Sequence, residues 1–227
     1  MQLTFYGHSC FLFETGTHRL IIDPFLTGNP QAPLTADKVK CDFILISHGH
    51  GDHVGDAVAL AKRNNATVIA NYEIATYCSN QGAKSHGMHL GGAHQFPFGK
   101  VKLTIAHHGS GLQTEDGFLY LGNPAGFIIH AGGKTVYHSG DTGLFMDMQL
   151  IGQMNNIDVA LLPIGDNFTM GVDDAVKAAE FLKPGVVIPM HYNTWELIAA
   201  DPHDFSRKVQ AFEVEAKLLA PGESYEF

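Results

Sequence analysis

The stretch Ser47-His48-Gly49-His50-Gly51-Asp52-His53 packs three histidines and a carboxylate into a few consecutive positions. Imidazole and carboxylate are the donor set of zinc and its divalent neighbours. A regular strand would send alternate side chains to opposite faces, so four donors spaced this closely cannot all reach one ion from it. Gly49 and Gly51 let the backbone turn sharply, and the donors can then be divided between two adjacent ions. At this composition the pattern H-x-H-x-D-H arises by accident about 0.003 times in a chain of this length, so a chance polar turn is a poor account of it. Histidine is abundant throughout, 14 of 227 residues. Its distinctive chemistry is metal ligation and proton transfer near neutral pH.

The elements that must position these donors are legible as alternating strand-like and helix-like segments. The apolar run Phe43–Ser47 leads directly into the histidine stretch, and a helical face of Val54, Ala57, Val58 and Ala61 follows it. Further strands are expected at Leu3–Tyr6, Cys10–Glu14, Arg19–Ile22, Thr67–Ala70, Val101–Ala106, Gly126–His130, Thr135–His138, Val159–Pro163, Val186–Pro189 and Lys217–Leu219. Other helical faces are Leu144, Met148 and Ile151; Ala175, Val176, Ala179 and Leu182; and Phe205, Val209 and Phe212. An internal repeat is visible. Residues 11–23 and 128–141 each read as strand, Gly-centred turn and strand ending in an aspartate, Asp23 and Asp141. Each copy continues through an apolar strand into a helix opening with Asp-Ala-Val, at Asp56 and Asp174, with those carboxylates expected in the first helical turn. Two copies imply two sheets packed face to face with helices outside, the halves dividing near residues 110–118. No linker or low-complexity stretch interrupts the chain, so residues 1–227 read as a single domain.

HGHGDH after an apolar strand resembles the metallo-β-lactamase superfamily, which implies an α/β fold, a four-layer αββα sandwich of two pseudo-symmetric halves. Three further motifs of that superfamily stand in order here: Ala106-His107-His108-Gly109-Ser110, Ser139-Gly140-Asp141-Thr142 and Met190-His191-Tyr192. More narrowly, GHSCFLFE, IDPFLTGNP, HSGDTGLF and PIGDNFTMG resemble a bacterial family of metal-dependent hydrolases similar to L-ascorbate-6-phosphate lactonase and, more distantly, to N-acylphosphatidylethanolamine phospholipase D. The resemblance implies that His48, His50 and His108 hold one metal, that Asp52, His53 and His191 hold a second, and that Asp141 bridges them. It implies two divalent ions, Zn2+ first with Mn2+ or Ni2+ as alternatives. Histidine stands at position 50, where the di-iron branch carries glutamate. A water between the ions, deprotonated near neutral pH, would be the nucleophile. His108 rather than neighbouring His107 is expected as the ligand. Val101, Leu103 and Ile105 share a face that His107 would continue into the core, whereas His108 precedes the Gly109-Ser110 turn.

Other candidates flank these motifs. Asp23 is expected to orient a ligand histidine. His8 and His138 are candidates for the same task or for proton donation. Asn167 and Asn193, with Phe168 and Trp195 beside them, are candidate pocket walls, and packed loop residues are the alternative reading. The formal charge of −9 and the lack of a basic cluster argue against a nucleic-acid partner. No apolar run approaches the roughly 18 residues of a membrane span. Three scattered cysteines, Cys10, Cys41 and Cys78, fit reduced thiols and a cytoplasmic location. The expected function is hydrolysis of an ester-like bond (lactone, carboxylic ester or phosphoester) of a small molecule, with homo-oligomerisation left open. A nuclease or phosphodiesterase of the same fold and a catalytically silent metal-binding scaffold are the rival readings.

Overall fold

A computed structural model describes all 227 residues. The first sheet is built by β1 (Gln2–Phe5), β2 (Phe11–Glu14), β3 (Arg19–Ile22), β4 (Phe43–Leu45), β5 (Thr67–Asn71) and β6 (Lys84–Met88). The short α1 (Gly51–Val54), then α2 (Ala57–Asn64) and α3 (Tyr72–Asn80), connect its later strands. The chain next forms β7 (Ala93–Phe96), β8 (Gly99–Ile105), the hairpin β9 (Gly111–Thr114) and β10 (Gly117–Tyr120), β11 (Ala125–Ala131) and β12 (Lys134–His138). α4 (Asp147–Met154), β13 (Val159–Pro163), α5 (Val172–Leu182), β14 (Val186–Met190), α6 (Pro202–Val209), β15 (Glu215–Ala216) and β16 (Ser224–Glu226) complete it.

The strand orders are β16-β1-β2-β3-β4-β5-β6 and β7-β8-β11-β12-β13-β14-β15. In each sheet the first three pairings along that order are antiparallel and the last three parallel. The expected two-fold repeat is therefore present, but its boundary differs. Residues 93–105 belong to the second sheet, and the C-terminal β16 crosses back to β1 with Leu3 opposite Tyr225. The first sheet thus takes its outermost antiparallel strand from the far end of the chain, while the second begins with the local hairpin β7–β8.

Both faces of each sheet are covered, which explains why the central strands are apolar without alternation. Phe11, Phe13, Leu20, Ile22, Leu45 and Ile69 meet Leu103, Phe127, Val136, Val159, Leu161 and Ile188 between the sheets. Ile21, Ile44, Ile46 and Val68 turn outward under Ala57, Leu60, Ile74 and Cys78. On the far side Ile128, Tyr137, Ala160, Leu162 and Val187 lie under Met148, Ala175, Ala179, Leu182 and Phe205. These three apolar interfaces define four layers, αββα.

Several local expectations are corrected. Lys217–Leu219 is not a strand: after the two residues of β15 the chain leaves the second sheet to reach β16. The helix expected through Val54 breaks at Gly55, whose φ is +41° and whose Cβ would collide with the backbone of Pro24. Asp56 does not face its own helix; its carboxylate accepts from Leu26 N, Thr27 N and Thr27 Oγ1, tying down the loop after β3. Phe212 lies beyond α6 and is exposed, so only Phe205 and Val209 anchor that helix.

Candidate metal centre

β1, β3, β4, β8, β12 and β14 run towards the same end of the sandwich, and the donors follow their last residues. His8 follows β1, Asp23 follows β3, and His48 and His50 follow β4, with Asp52 and His53 on α1. His108, Asp141 and His191 follow β8, β12 and β14 of the second sheet. All seven expected ligands converge there, drawn from both halves. Three sets of donor atoms lie within 4.8 Å of one another: His48, His50 and His108; His8, Asp52, His53 and His191; and His48, His53 and Asp141.

The proton positions follow from the partners. Asp23, fully buried, accepts from Ser47 N at 2.7 Å and Ser47 Oγ at 2.6 Å, and its Oδ2 lies 2.9 Å from His53 Nδ1. The Ser47 hydroxyl proton is thereby committed, so His48 Nδ1, 2.9 Å away, must be the donor to Ser47 Oγ. Asp23 thus fixes both His48 and His53 with protonated Nδ1, leaving Nε2 of each to face the other donors. Such carboxylate-to-histidine bonds are the usual support of metal ligands.

Those nitrogens point at other potential ligand atoms. His48 Nε2 and His108 Nε2 lie 2.9 Å and 3.2 Å from His50 Nδ1. Asp141 Oδ2 lies 2.9 Å from His191 Nε2, 3.2 Å from His53 Nε2 and 3.7 Å from His108 Nε2. Yet His53 Nε2, Asp141 Oδ1 and His191 Nδ1 are buried without a hydrogen-bond partner. Unpaired buried donors and acceptors are costly, and converging ones mark a position made for a cation. The residues fit a divalent metal.

The electrostatics agree. Burial pushes His48, His50 and His108 below the ordinary imidazole range, leaving them neutral ligands at neutral pH. Burial also lowers His8, to about 4. His53 goes the other way: burial opposes its charge, but Asp141, Asp23 and Asp52 together outweigh it and raise it well above the usual range. Three carboxylates around one imidazole demand positive charge, which an ion supplies better than one proton.

The remaining candidates separate cleanly. His8 is in the centre, its Nε2 3.1 Å from Asp52 Oδ2 and its Nδ1 2.8 Å from Thr194 Oγ1. His138 is not available: Gly140 N donates to its Nδ1 and its Nε2 donates to Ser9 O, so neither nitrogen is left for a metal or a moving proton. Asn193 Oδ1 accepts from Ala200 N and braces its own loop, while Asn167 is exposed. His107 is exposed beside Phe145 rather than buried in the core, because Ile105 already turns outward, 39% exposed. The strand alternation ends one residue pair earlier than expected. Sequence reasoning missed Thr194 and Gln31, whose Oε1 accepts from His8 N and Thr194 Oγ1. It also missed Phe25, which flanks His8 with Trp195. Only Ser47, next to the motif, carried a local signal. His8, Asp23, His191 and Asn193 all have φ between +45° and +57°, a concentration of left-handed backbone at one site.

A four-layer αββα sandwich with a His/Asp cluster at the strand ends defines a metal-dependent hydrolase of the metallo-β-lactamase fold. Residues 2–191 match the Beta-lactamase superfamily domain. The chain is 59% identical over 228 residues to a UPF0173 metal-dependent hydrolase of Pelotomaculum thermopropionicum, covering 100% of both chains. It is 57% identical over 227 residues to its counterpart in Geobacillus sp., again covering 100% of both. Among solved structures it is similar to Igni18, a metallo hydrolase from Ignicoccus hospitalis, with a TM-score of 0.90 and 39% identity, covering 100% of this chain and 98% of that one. The chain belongs to the UPF0173 family of metal-dependent hydrolases, within the metallo-β-lactamase superfamily, and is an enzyme.

Proposed function

We propose that this enzyme carries two divalent ions, zinc first among them, and cleaves an ester-like bond of a small molecule. His48, His50 and His108 would hold one ion, Asp52, His53 and His191 the other, with Asp141 shared. The observation that carries this reading is the place of Asp141 Oδ2, which lies within 3.7 Å of imidazole nitrogens from both sets. When bound, such a pair makes water nucleophilic at neutral pH and polarises a scissile carbonyl or phosphoryl oxygen. The protein's own residues do the positioning. Asp23 holds the Nδ1 protons of His48 and His53, while His8 stands between Thr194 and the Asp52 carboxylate. No donor of the seven is missing, which favours an active enzyme over a silent scaffold. No helix is long and apolar enough to cross a membrane, and the three cysteines are free, which supports a cytoplasmic assignment.

The test joins composition to turnover. Protein purified with added Zn2+ or Mn2+ is assayed for metal by elemental analysis and screened against lactones, carboxylic esters, phosphoesters and thioesters. Two equivalents with metal-dependent cleavage are expected. Saturation at one equivalent would end the dinuclear reading, and failure to cleave any of these would end the ester-hydrolase reading.

A further inference from the structure

We infer that the substrate carries an apolar group and no anionic group remote from its scissile bond; the inference rests on the hydrolase reading above. The loops that gather at the metal end are residues 6–10, 23–35, 46–56, 89–92, 106–124, 139–146, 164–171 and 191–201. Not one contains a lysine or arginine, although the chain has 14. Those cations lie elsewhere, as in Lys62 and Arg63 at the end of α2 or Lys134 at the start of β12. Lys217, on the way to β16, is paired with Glu215. The same loops expose Glu115, Asp116, Asp166, Glu196 and Asp201.

Away from a metal ion, proteins bind phosphate and carboxylate chiefly through guanidinium or ammonium groups, or through free N–H groups at helix N-termini. The first means is absent here. The second is weakened, because three of the helices that start at this end carry acids in the first turn. These are Glu73 on α3, Asp147 on α4, and Asp173 and Asp174 on α5. An anionic group lying away from the metals therefore meets a negative rim with no cationic side chain to replace its hydration. An uncharged molecule meets a different surface. The Phe25 and Trp195 rings lie 5.6 Å and 5.0 Å from the His8 ring and 6.1 Å from each other, with Trp195 still 42% exposed. An aromatic pair directly beside the candidate ligands suits an alkyl or aryl group on the substrate.

The experiment uses the metal-loaded enzyme and matched lactones, one with a plain alkyl chain and one with a phosphate at the end of the same chain. At low ionic strength kcat/KM for the neutral lactone should exceed that for the phosphorylated one by at least about tenfold, and added salt should narrow the gap. The double substitution Asp166→Lys and Glu196→Lys should raise the phosphorylated lactone relative to the neutral one several-fold. Equal or faster turnover of the phosphorylated lactone at low salt would overturn the inference. If neither lactone is cleaved, the lactone chemistry is wrong, and the inference is then read from binding. Calorimetric titration with matched neutral and phosphorylated alkyl hydroxamates should favour the neutral one, and tighter binding of the phosphorylated one would overturn the inference.

Discussion

Asp23 Oδ2 lies 2.9 Å from His53 Nδ1, both side chains fully buried, and the same carboxylate accepts the hydroxyl proton of Ser47 that sets the tautomer of His48. One aspartate therefore reaches both sets of candidate ligands through one bond and one relay. It does so from a left-handed backbone position, φ +45°, just where β3 ends. Its pseudo-symmetric counterpart after β12 is Asp141, which faces the metal position itself. The repeat has thus placed two aspartates in equivalent positions, one within the candidate metal centre and the other behind its candidate ligands.

Replacing Asp23 with asparagine keeps the volume, and asparagine tolerates positive φ better than most residues. The amide can still accept from Ser47 N, but its NH2 would face the Ser47 hydroxyl and the His53 Nδ1 proton. Asp23→Asn should therefore fold while binding metal about 10- to 100-fold more weakly. Circular dichroism beside a competitive metal titration checks it; unchanged metal affinity would remove Asp23 from the site.

His108 and His107 are adjacent, yet the structure gives them opposite surroundings. His108 Nε2 faces His50 Nδ1 at 3.2 Å, and His107 is an exposed ring beside Phe145. His108→Ala should lose one equivalent of metal and nearly all turnover. His107→Ala, which keeps the backbone bond from His107 N to Thr142 Oγ1, should stay within about 0.5 kcal/mol of the parent in stability. Metal analysis and urea melts of the two variants decide between the neighbours.

The candidate donors were legible as a cluster because metal chemistry restricts residue type and because four of the seven sit in one short motif. The αββα architecture was legible because strands buried on both faces, such as β4 and β13, leave uninterrupted apolar runs. What escaped depends on distance or on weak local preference. β6 reads Lys-Ser-His-Gly-Met, poor in β-formers, and holds as an edge strand only through its parallel register with β5. β16 pairs with β1 from the far end of the chain, which no local pattern encodes. Gln31 and Thr194 gain their meaning only when two loops fold onto His8. His138 looked catalytic because it neighbours Asp141; the fold instead spends both its nitrogens on backbone groups.

The three thiols should be unreactive in the native protein. Burial raises Cys10 well above the ordinary thiol range, Cys41 to about 12 and Cys78 to about 11, so almost no thiolate is present near neutral pH. Iodoacetamide at mildly alkaline pH should label them at least about 100-fold more slowly than in denaturant. Fast labelling of Cys78 would mean that α3 opens from the first sheet far more readily than its packing implies.

Backbone approach, not only side-chain chemistry, holds the second set of candidate ligands. Gly165 follows β13, and a Cβ there would collide with His191 O and come within 3.0 Å of Ile198 Cβ. His191 O belongs to the turn that aims the imidazole at Asp141, a turn already in left-handed backbone at φ +53°. Gly165→Ala adds one methyl group but must push that turn aside. The cost should be about 1–3 kcal/mol, typical of overpacking a buried contact. Its particular mark should be weakened binding of one metal equivalent with the other retained, since His48, His50 and His108 lie on other loops. Gly143→Ala is the matched control at the same end of the sandwich, because a Cβ there meets nothing within 4 Å. Thermal melts and stepwise metal titrations of the two variants make the comparison. Equal metal binding by Gly165→Ala and the parent would show that the His191 turn adjusts without losing its aim.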